Sequence, residues 1–207
     1  MNLMVTIATG LVRVYFKLFH RLKVTGRENI PEGGAILASN HTSFFDPPLV
    51  AAGSPKPVLF LGNERLFKNR FFGWLIRSLN CHPVSNRPED FSVLRKISRL
   101  VKGGEQVLIF PEGTRCDDGK LKPFKVGVAV LASLTDAPVV PIFLEGAYDA
   151  LKKGARFPRL GTKIRCHFGK PLCWQEFAHL PKKEAREAFV AELRRRVVSL
   201  DPASQSD

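Results

Sequence analysis

Short apolar runs bounded by Gly, Pro or Asn alternate along the chain with longer stretches of helical periodicity. Runs of this length suit strands, and their alternation with helices is typical of an α/β sheet covered by helices. The predicted strands lie at 35–39, 58–61, 106–110, 139–143 and 163–168. The predicted helices lie near 47–53, 71–79, 91–102, 125–135 and 182–199. Because no repeat or linker divides the 207 residues, we expect a single domain.

The charge and the cysteines narrow the possible partners and compartments. Lys and Arg number 32 against 19 Asp and Glu, and the resulting net charge of +13 favours polyanions: phospholipid headgroups, an acidic carrier protein or nucleic acid. The four cysteines have neither paired metal-ligand spacing nor the density of a disulfide scaffold. We therefore expect free thiols and no metal site.

Residues 1–23 are predicted to form an amphipathic helix ahead of a folded domain at 24–201, with 202–207 as a loose tail. The residues predicted for its apolar face are Leu11, Val14, Tyr15, Leu18, Phe19 and Leu22. Those predicted for an opposite, basic face are Arg13, Lys17, His20 and Arg21. Arg13 stops the apolar run short of the roughly 18 residues that a membrane span needs, so no span is expected. The apolar face can pack on the core or lie in a lipid interface.

A histidine and an aspartate follow the first predicted strand. Residues 40–48, NHTSFFDPP, place His41 and Asp46 in one loop at the carboxyl end of a buried strand, where open α/β sheets carry their sites. On a continuous helix this spacing would turn the two side chains about 140° apart, so a direct pair requires a loop. Asp before Pro is also typical of a helix N-cap, and one carboxylate can serve both roles.

A second polar cluster follows another predicted strand. Residues 111–115, PEGTR, form a turn that exposes backbone amides, a carboxylate and a guanidinium, which suits an oxyanion or a phosphate. The alternative is an ordinary turn followed by a surface arginine. Between the two clusters, aromatic side chains interleave with Arg65, Lys68 and Arg70, a pattern that suits lipid, nucleic acid or simple packing.

The NHTSFFD and FPEGTR segments resemble two sequence blocks of glycerolipid acyltransferases of the 1-acyl-glycerol-3-phosphate type, and residues 140–142, VPI, resemble a third. The resemblance runs in the family's block order from about residue 24 to residue 146. It implies an α/β acyltransferase fold, a mixed sheet covered by helices, and a catalytic domain at 24–201. By resemblance His41 is the catalytic base and Asp46 orients it. The residues implied to hold the glycerol phosphate are Glu112, Gly113, Thr114 and Arg115.

The resemblance further implies transfer of a fatty acyl group from acyl-CoA or acyl carrier protein to the sn-2 hydroxyl of 1-acyl-sn-glycerol-3-phosphate, giving phosphatidic acid without a cofactor. It also implies peripheral or monotopic attachment to the cytoplasmic face of the inner membrane. One block departs from the family: ERLF and RFFG stand where many relatives have KELF and PFFG. Arg65, Lys68 and Arg70 therefore stay candidates for substrate contact, and another lysolipid acceptor stays possible.

The residues support this chemistry independently of the resemblance. An alcohol is protonated at neutral pH, so its attack on an acyl carbonyl needs a positioned base, and an imidazole with a pKa near 6.5 suits that task. The chain has no GxSxG serine motif, which favours direct transfer over an acyl-enzyme. A transacylase or lipid-ester hydrolase could use the same pair. A basic lipid- or nucleic-acid-binding module would explain the charge but not the two strand-end clusters, and no nucleic-acid partner is expected.

Overall fold

The computed structural model describes residues 3–84 and 91–205, which fold around one seven-stranded sheet. The strands are β1 Lys23–Thr25, β2 Ala35–Ser39, β3 Val58–Asn63, β4 Cys81–Val84, β5 Gln106–Ile109, β6 Val139–Glu145 and β7 Arg165–Phe168. Their order across the sheet is β1-β7-β6-β2-β5-β3-β4. Strands β2 to β6 are parallel to one another, whereas β7 is antiparallel to β6 and parallel to β1. The sheet is therefore mixed.

Helices cover both faces of this sheet. They are α1 Leu3–His20, α2 Asp46–Gly53, α3 Arg70–Ser78, α4 Phe91–Lys102, α5 Gly127–Thr135, α6 Ala147–Ala150 and α7 Lys182–Ser199. One core cluster joins α1, α2 and α3 to the sheet, and a second joins α4, α5 and α7 to the other face. In β2, Leu37 belongs to the first cluster and its neighbour Ile36 to the second. This explains why β2 is continuously apolar: a strand covered on both sides has no solvent face.

The predicted fold class and the five predicted strands are confirmed, but two strands escaped sequence analysis. β4 contains Pro83, and proline argues against a strand in the middle of a sheet; β4 is tolerated because it lies at the edge. β1 has three residues and no alternating pattern of its own. The four cysteines are free, as expected. The predicted tail starts with a 3-10 turn, Pro202–Gln205, in which the Ser204 hydroxyl donates to Val198 O; residues 206–207 lie outside the described residues.

The basic face predicted for the first helix is wrong, because two of its residues point into the domain. Arg13 donates from Nε to Ala52 O (2.8 Å) and from Nη2 to Ser54 O (2.9 Å), at the end of α2. His20 is fully buried. Lys17 is exposed, but most of the exposed side chains of α1 are apolar: Leu3, Met4, Ile7, Leu11, Val14, Leu18 and Phe19.

The length and composition of α1 change the membrane prediction. By length and composition α1 is apolar enough to cross a membrane, contrary to the expectation that no stretch is, and Arg13 does not interrupt its outer row. The core helix of a domain can pass the same test. On its inner side α1 packs against α2 and buries Phe16, so it is docked on the domain and leaves its apolar row outside.

Replacing Arg13 with leucine is expected to destabilise the fold, since two α2 carbonyls lose a charged donor. The expected loss of unfolding free energy is about 2 kcal/mol, which corresponds to a melting temperature lower by roughly 4–8 °C for a chain of this size. Thermal denaturation of the full chain in mild detergent measures it. Lys17→Leu is the matched control, because Lys17 is exposed on the same helix; equal melting temperatures for the two variants would contradict the assigned role of Arg13.

Candidate active site

Two loops meet where the parallel strands β2 and β5 end, at the carboxyl edge of the sheet. The first loop leaves β2 through Asn40, whose side chain acts as one more rung of the β2–β6 ladder. Its Nδ2 donates to Leu144 O (3.1 Å), and its Oδ1 accepts from Leu144 N (2.8 Å). Because Asn40 is buried and bonded at both ends, the chain enters the next residue, His41, in a fixed direction.

His41 and Asp46 form a direct pair in this loop. The His41 Nδ1 atom donates to Asp46 Oδ2 at 2.8 Å, which leaves Nε2 with its lone pair. The Asp46 side chain is fully buried, while that of His41 is 18% exposed. The imidazole also stacks on the ring of Phe110, with centroids 3.8 Å apart and planes 12° apart. A hydrogen bond in the ring plane and a stacked neighbour on one face together set the orientation of the base.

Asp46 does not cap α2 in the predicted way. It is the first helical residue, Phe45 occupies the cap position, and no side-chain cap bond is formed there. The Asp46 Oδ2 atom turns back into the loop and accepts the amides of Thr42 (2.6 Å) and Ser43 (2.8 Å) as well as the His41 ring. The carboxylate therefore organises the loop that precedes the helix, and its negative charge also lies favourably at the helix N-terminus.

Glu112, predicted to help hold the substrate, has both carboxylate oxygens occupied by backbone amides. Its Oε1 accepts from His41 N (2.7 Å) and its Oε2 from Lys122 N (2.8 Å). Burial raises the pKa of this carboxyl, and the two amide bonds oppose that rise. The geometry makes Glu112 a positioning residue, which ties the loop after β5 to the backbone of His41.

Arg115 lies over the other loop. Its guanidinium carbon lies 3.4 Å from the centroid of the Phe44 ring. Phe44 lies between His41 and Asp46 in the sequence. Burial lowers the pKa of Arg115, while the nearby carboxylates of Asp46 and Asp117 oppose that shift. Its Nη1 atom is buried and has no hydrogen-bond partner in the described part of the chain, so one donor of this guanidinium is unsatisfied.

Gly113 and Thr114 form the exposed turn between these two residues. Gly113 has a φ of +76°, and its amide donates to Phe110 O (2.9 Å). Within residues 3–84 and 91–205, no hydrogen bond is formed by the amides of Thr114 and Arg115. If an oxyanion is bound at this turn, these two amides are the free donors.

Two lysines of the site were missed by sequence analysis. A Cβ on Gly113 would lie 2.6 Å from Lys125 Nζ, so the Lys125 ammonium rests directly on the turn. Lys122 Nζ donates to Arg115 O (2.9 Å). Both lie in residues 120–125, KLKPFK, where only a basic loop is visible in the sequence. Their arrangement depends on the fold of the turn upstream.

The other three predicted contacts come from the segment after β3, which β5 separates from β2 in the sheet order. Arg65 belongs to the turn after β3, Arg70 begins α3, and Lys68 lies between them. All three are exposed, and none forms an ion pair among the residues that the structure describes. The same described residues contain no group of three or more His, Cys, Asp or Glu side chains that could hold a metal ion.

Comparison with known proteins agrees with the resemblance seen in the sequence. The profile of a family described as Acyltransferase matches residues 21–145. The 1-acyl-sn-glycerol-3-phosphate acyltransferase of Bacillus subtilis (strain 168) is 30% identical over 192 residues, covering 92% of this chain and 93% of that protein. The protein of the same name from Pseudomonas aeruginosa is 33% identical over 146 residues, covering 68% and 53%. The crystal structure of the 1-acyl-sn-glycerophosphate (LPA) acyltransferase PlsC from Thermotoga maritima superposes with a TM-score of 0.78 at 28% identity, covering 96% of this chain and 80% of that one.

The geometry predicts different consequences for the two members of the pair. His41→Ala is expected to lower kcat for acyl transfer by at least about 10³ and to leave the melting temperature nearly unchanged, since the ring is partly exposed. Asp46→Asn is expected to lower kcat strongly and also to lower the melting temperature, because three N–H donors lose a charged acceptor. Steady-state kinetics and thermal denaturation measure these effects. A His41→Ala variant with a tenth of the wild-type rate would remove the base assignment.

Proposed function

The chain belongs to the Acyltransferase family, and we propose that it moves a fatty acyl group from acyl-CoA or acyl carrier protein to the sn-2 hydroxyl of 1-acyl-sn-glycerol-3-phosphate. The product would be phosphatidic acid, an intermediate of phospholipid biosynthesis. The observation that carries the proposal is the His41–Asp46 pair, with a base nitrogen free and the Arg115 guanidinium over Phe44 of the same loop. The names of the relatives from Bacillus subtilis and Pseudomonas aeruginosa support the choice of acceptor.

In the proposed reaction His41 is the general base. Its Nε2 takes the proton of the acceptor hydroxyl while the hydroxyl oxygen attacks the thioester carbonyl, and Asp46 stabilises the imidazolium that forms. The C–O bond forms, the C–S bond breaks, and the proton on Nε2 passes to the leaving sulfur. A thiol has a pKa near 8.5, so the leaving group needs little help from an acid.

The turn at residues 113–115 would stabilise the charges on the substrates. The unpaired amides of Thr114 and Arg115 suit the oxyanion that develops on the thioester carbonyl. The Arg115 guanidinium, with its buried unpaired Nη1, suits the phosphate of the acceptor, and the Lys125 ammonium adds a second cation at the same turn. Arg65, Lys68 and Arg70 are further candidates for that phosphate.

The acceptor is a lipid, and we propose that α1 holds the enzyme at the cytoplasmic face of the inner membrane. The support is the outer row of α1, which exposes apolar side chains while its inner side packs on the domain. A row of this kind costs free energy in water and none in a lipid interface. Because α1 buries Phe16 in the core, serine substitutions at Leu11, Val14 and Leu18 test this attachment better than deletion of the helix.

The overall proposal is tested by product formation with purified full-length protein. Acyl-CoA and acyl carrier protein thioesters are each offered with 1-acyl-sn-glycerol-3-phosphate, other lysophospholipids and monoacylglycerol. The expected result is turnover that requires a thioester and is fastest with 1-acyl-sn-glycerol-3-phosphate. Release of free fatty acid without an acceptor would assign a hydrolase, and transfer without a thioester would assign a transacylase.

Arg115 decides whether this turn binds the acceptor phosphate. Arg115→Ala is expected to lower kcat/KM for 1-acyl-sn-glycerol-3-phosphate by about 10² or more, because a charge-assisted and partly bidentate contact is lost. The slow rate on monoacylglycerol, which has no phosphate, should barely change. Arg115→Lys should rescue poorly, since an ammonium cannot form the two-pronged contact.

Lys120→Ala is the matched control, because Lys120 is an exposed cation in the same segment. Equal losses on both acceptors would mean that Arg115 holds the loop or the oxyanion. The search for the phosphate site would then move to Lys125, Arg65, Lys68 and Arg70.

A further inference from the structure

The segment between α6 and β7, residues 151–163, has an unusual composition. It carries five cationic and no acidic side chains. Lys153 pairs with Asp117 at 2.6 Å. The other four are exposed and form no ion pair within the described part of the chain: Lys152, Arg156, Arg159 and Lys163. We call residues 151–163 the basic loop.

Two large apolar side chains stand among these cations and point to solvent. Phe157 is 76% exposed and Leu160 is 57% exposed. The guanidinium of Arg156 lies 5.9 Å from the centre of the Phe157 ring, so the cation and the aromatic ring are neighbours on the same surface. Bulky apolar side chains flanked by cations are the composition of a segment that lies in the headgroup region of an anionic membrane.

The position of the basic loop links it to α1 and to the active site. Gly161 N donates to Phe19 O (2.8 Å) and Ile164 N to His20 O (3.0 Å), so the loop is fastened to the last turn of α1. At its other end the Ser43 hydroxyl, in the His41–Asp46 loop, donates to Leu151 O (2.7 Å). The loop therefore runs from the end of the exposed apolar row of α1 to the mouth of the site.

We propose that the basic loop is a second membrane-binding element, which binds anionic phospholipid headgroups through its four unpaired cations and places Phe157 and Leu160 in the lipid interface. An anionic bilayer matches both parts of this surface, the cations of the basic loop and the apolar row of α1. The two parts are adjacent, because Gly161, next to the exposed Leu160, is bonded to Phe19 at the exposed end of α1. A folded acidic carrier protein would match the cations but would leave the row on α1 uncovered.

This inference rests on the proposed function in one respect, since it takes the acceptor to be a bilayer lipid. It adds a reason for the orientation of the enzyme: contacts at α1 and at the basic loop would together keep the site mouth at the level of the headgroups. The hydroxyl to be acylated lies at that level. A single helix contact would leave rotation about that helix unrestrained.

Vesicle binding tests the cations directly and needs no turnover. Full-length protein is sedimented with phosphatidylcholine vesicles with and without phosphatidylglycerol. The variant replaces Lys152, Arg156, Arg159 and Lys163 with glutamine. We expect the variant to bind the anionic vesicles at least about 10-fold more weakly than the wild type. The difference in affinity between the two proteins should decrease as the salt concentration rises. Lys153 is kept because it pairs with Asp117.

The matched control removes four exposed cations elsewhere, by glutamine at Lys170, Lys182, Lys183 and Arg194. Three of these belong to α7, which covers the opposite face of the sheet. The net charge lost is the same, so a similar loss of binding in both variants would mean that only total charge matters and would overturn the proposal. Equal binding of the loop variant and the wild type would also overturn it.

A second variant tests the apolar side chains by a different readout. Trp74→Phe is introduced first to remove an exposed tryptophan, and a reporter then replaces Phe157. Brominated lipid should quench Phe157→Trp but not Leu134→Trp, because Leu134 is also exposed but lies on α5 at the other face of the sheet. No quenching at position 157 on vesicles that the protein does bind would remove the insertion part of the proposal.

Turnover in detergent micelles separates this inference from the proposed function. The glutamine variant should retain wild-type kcat there with acyl-CoA and with acyl carrier protein, because no charged bilayer is present. A selective loss with acyl carrier protein, together with normal vesicle binding, would assign the basic loop to the carrier and overturn the proposal. Absence of any transfer by the wild-type protein would instead refute the proposed function, whatever the vesicles show.

Discussion

Oδ2 of Asp46 accepts hydrogen bonds from the His41 ring and from the amides of Thr42 and Ser43, and the shape of the site depends on this one buried oxygen. A buried carboxylate is costly unless it accepts hydrogen bonds, and here the loop itself supplies three donors, all to this oxygen. Glu112, in the neighbouring loop, acts in a similar way, because its carboxylate accepts a hydrogen bond from the backbone N–H of His41. The catalytic candidate is thus held at its ring by one carboxylate and at its backbone by another. The two sequence clusters therefore form one structure. Asp46 orders its own loop, and Glu112, from the loop after β5, is bonded to the backbone of His41.

The same loop is also coupled to the first helix. Phe45, immediately before Asp46, packs its ring against Phe16 and His20 of α1, with centroids 5.1 and 5.6 Å apart. At the other end of α2, Arg13 of α1 donates hydrogen bonds to the carbonyl groups of Ala52 and Ser54. Because α2 begins at Asp46, a displacement of α1 would be transmitted to the residue that orients the base. α1 and the helix that starts at the site are therefore packed together as one unit.

Much of the fold was predictable because buried strands and long helices have strong local patterns. β2 was predicted with its correct ends, and α7 likewise, since each has a continuous or periodic apolar pattern and a clear boundary. The pairing of His41 with Asp46 was predictable from a short loop at a strand end. The features that the sequence did not predict depend on residues far apart in the chain. They are the inward position of Arg13, the edge strand that contains Pro83, and the approach of Lys125 to Gly113. A helical wheel cannot show that one basic residue meets carbonyl groups forty positions away instead of water.

The position of β1 at the edge of the sheet has a consequence for how the chain is made. β1 follows α1 directly, yet its neighbour in the sheet is β7, near the far end of the chain. At the usual pace of translation the ribosome needs on the order of ten seconds to synthesise the residues between them. During that interval α1 has left the ribosome with β1, the strand that follows it, unpaired, and its apolar row is uncovered. The order of synthesis thus leaves the apolar row of this helix exposed before the sheet that it will flank has closed.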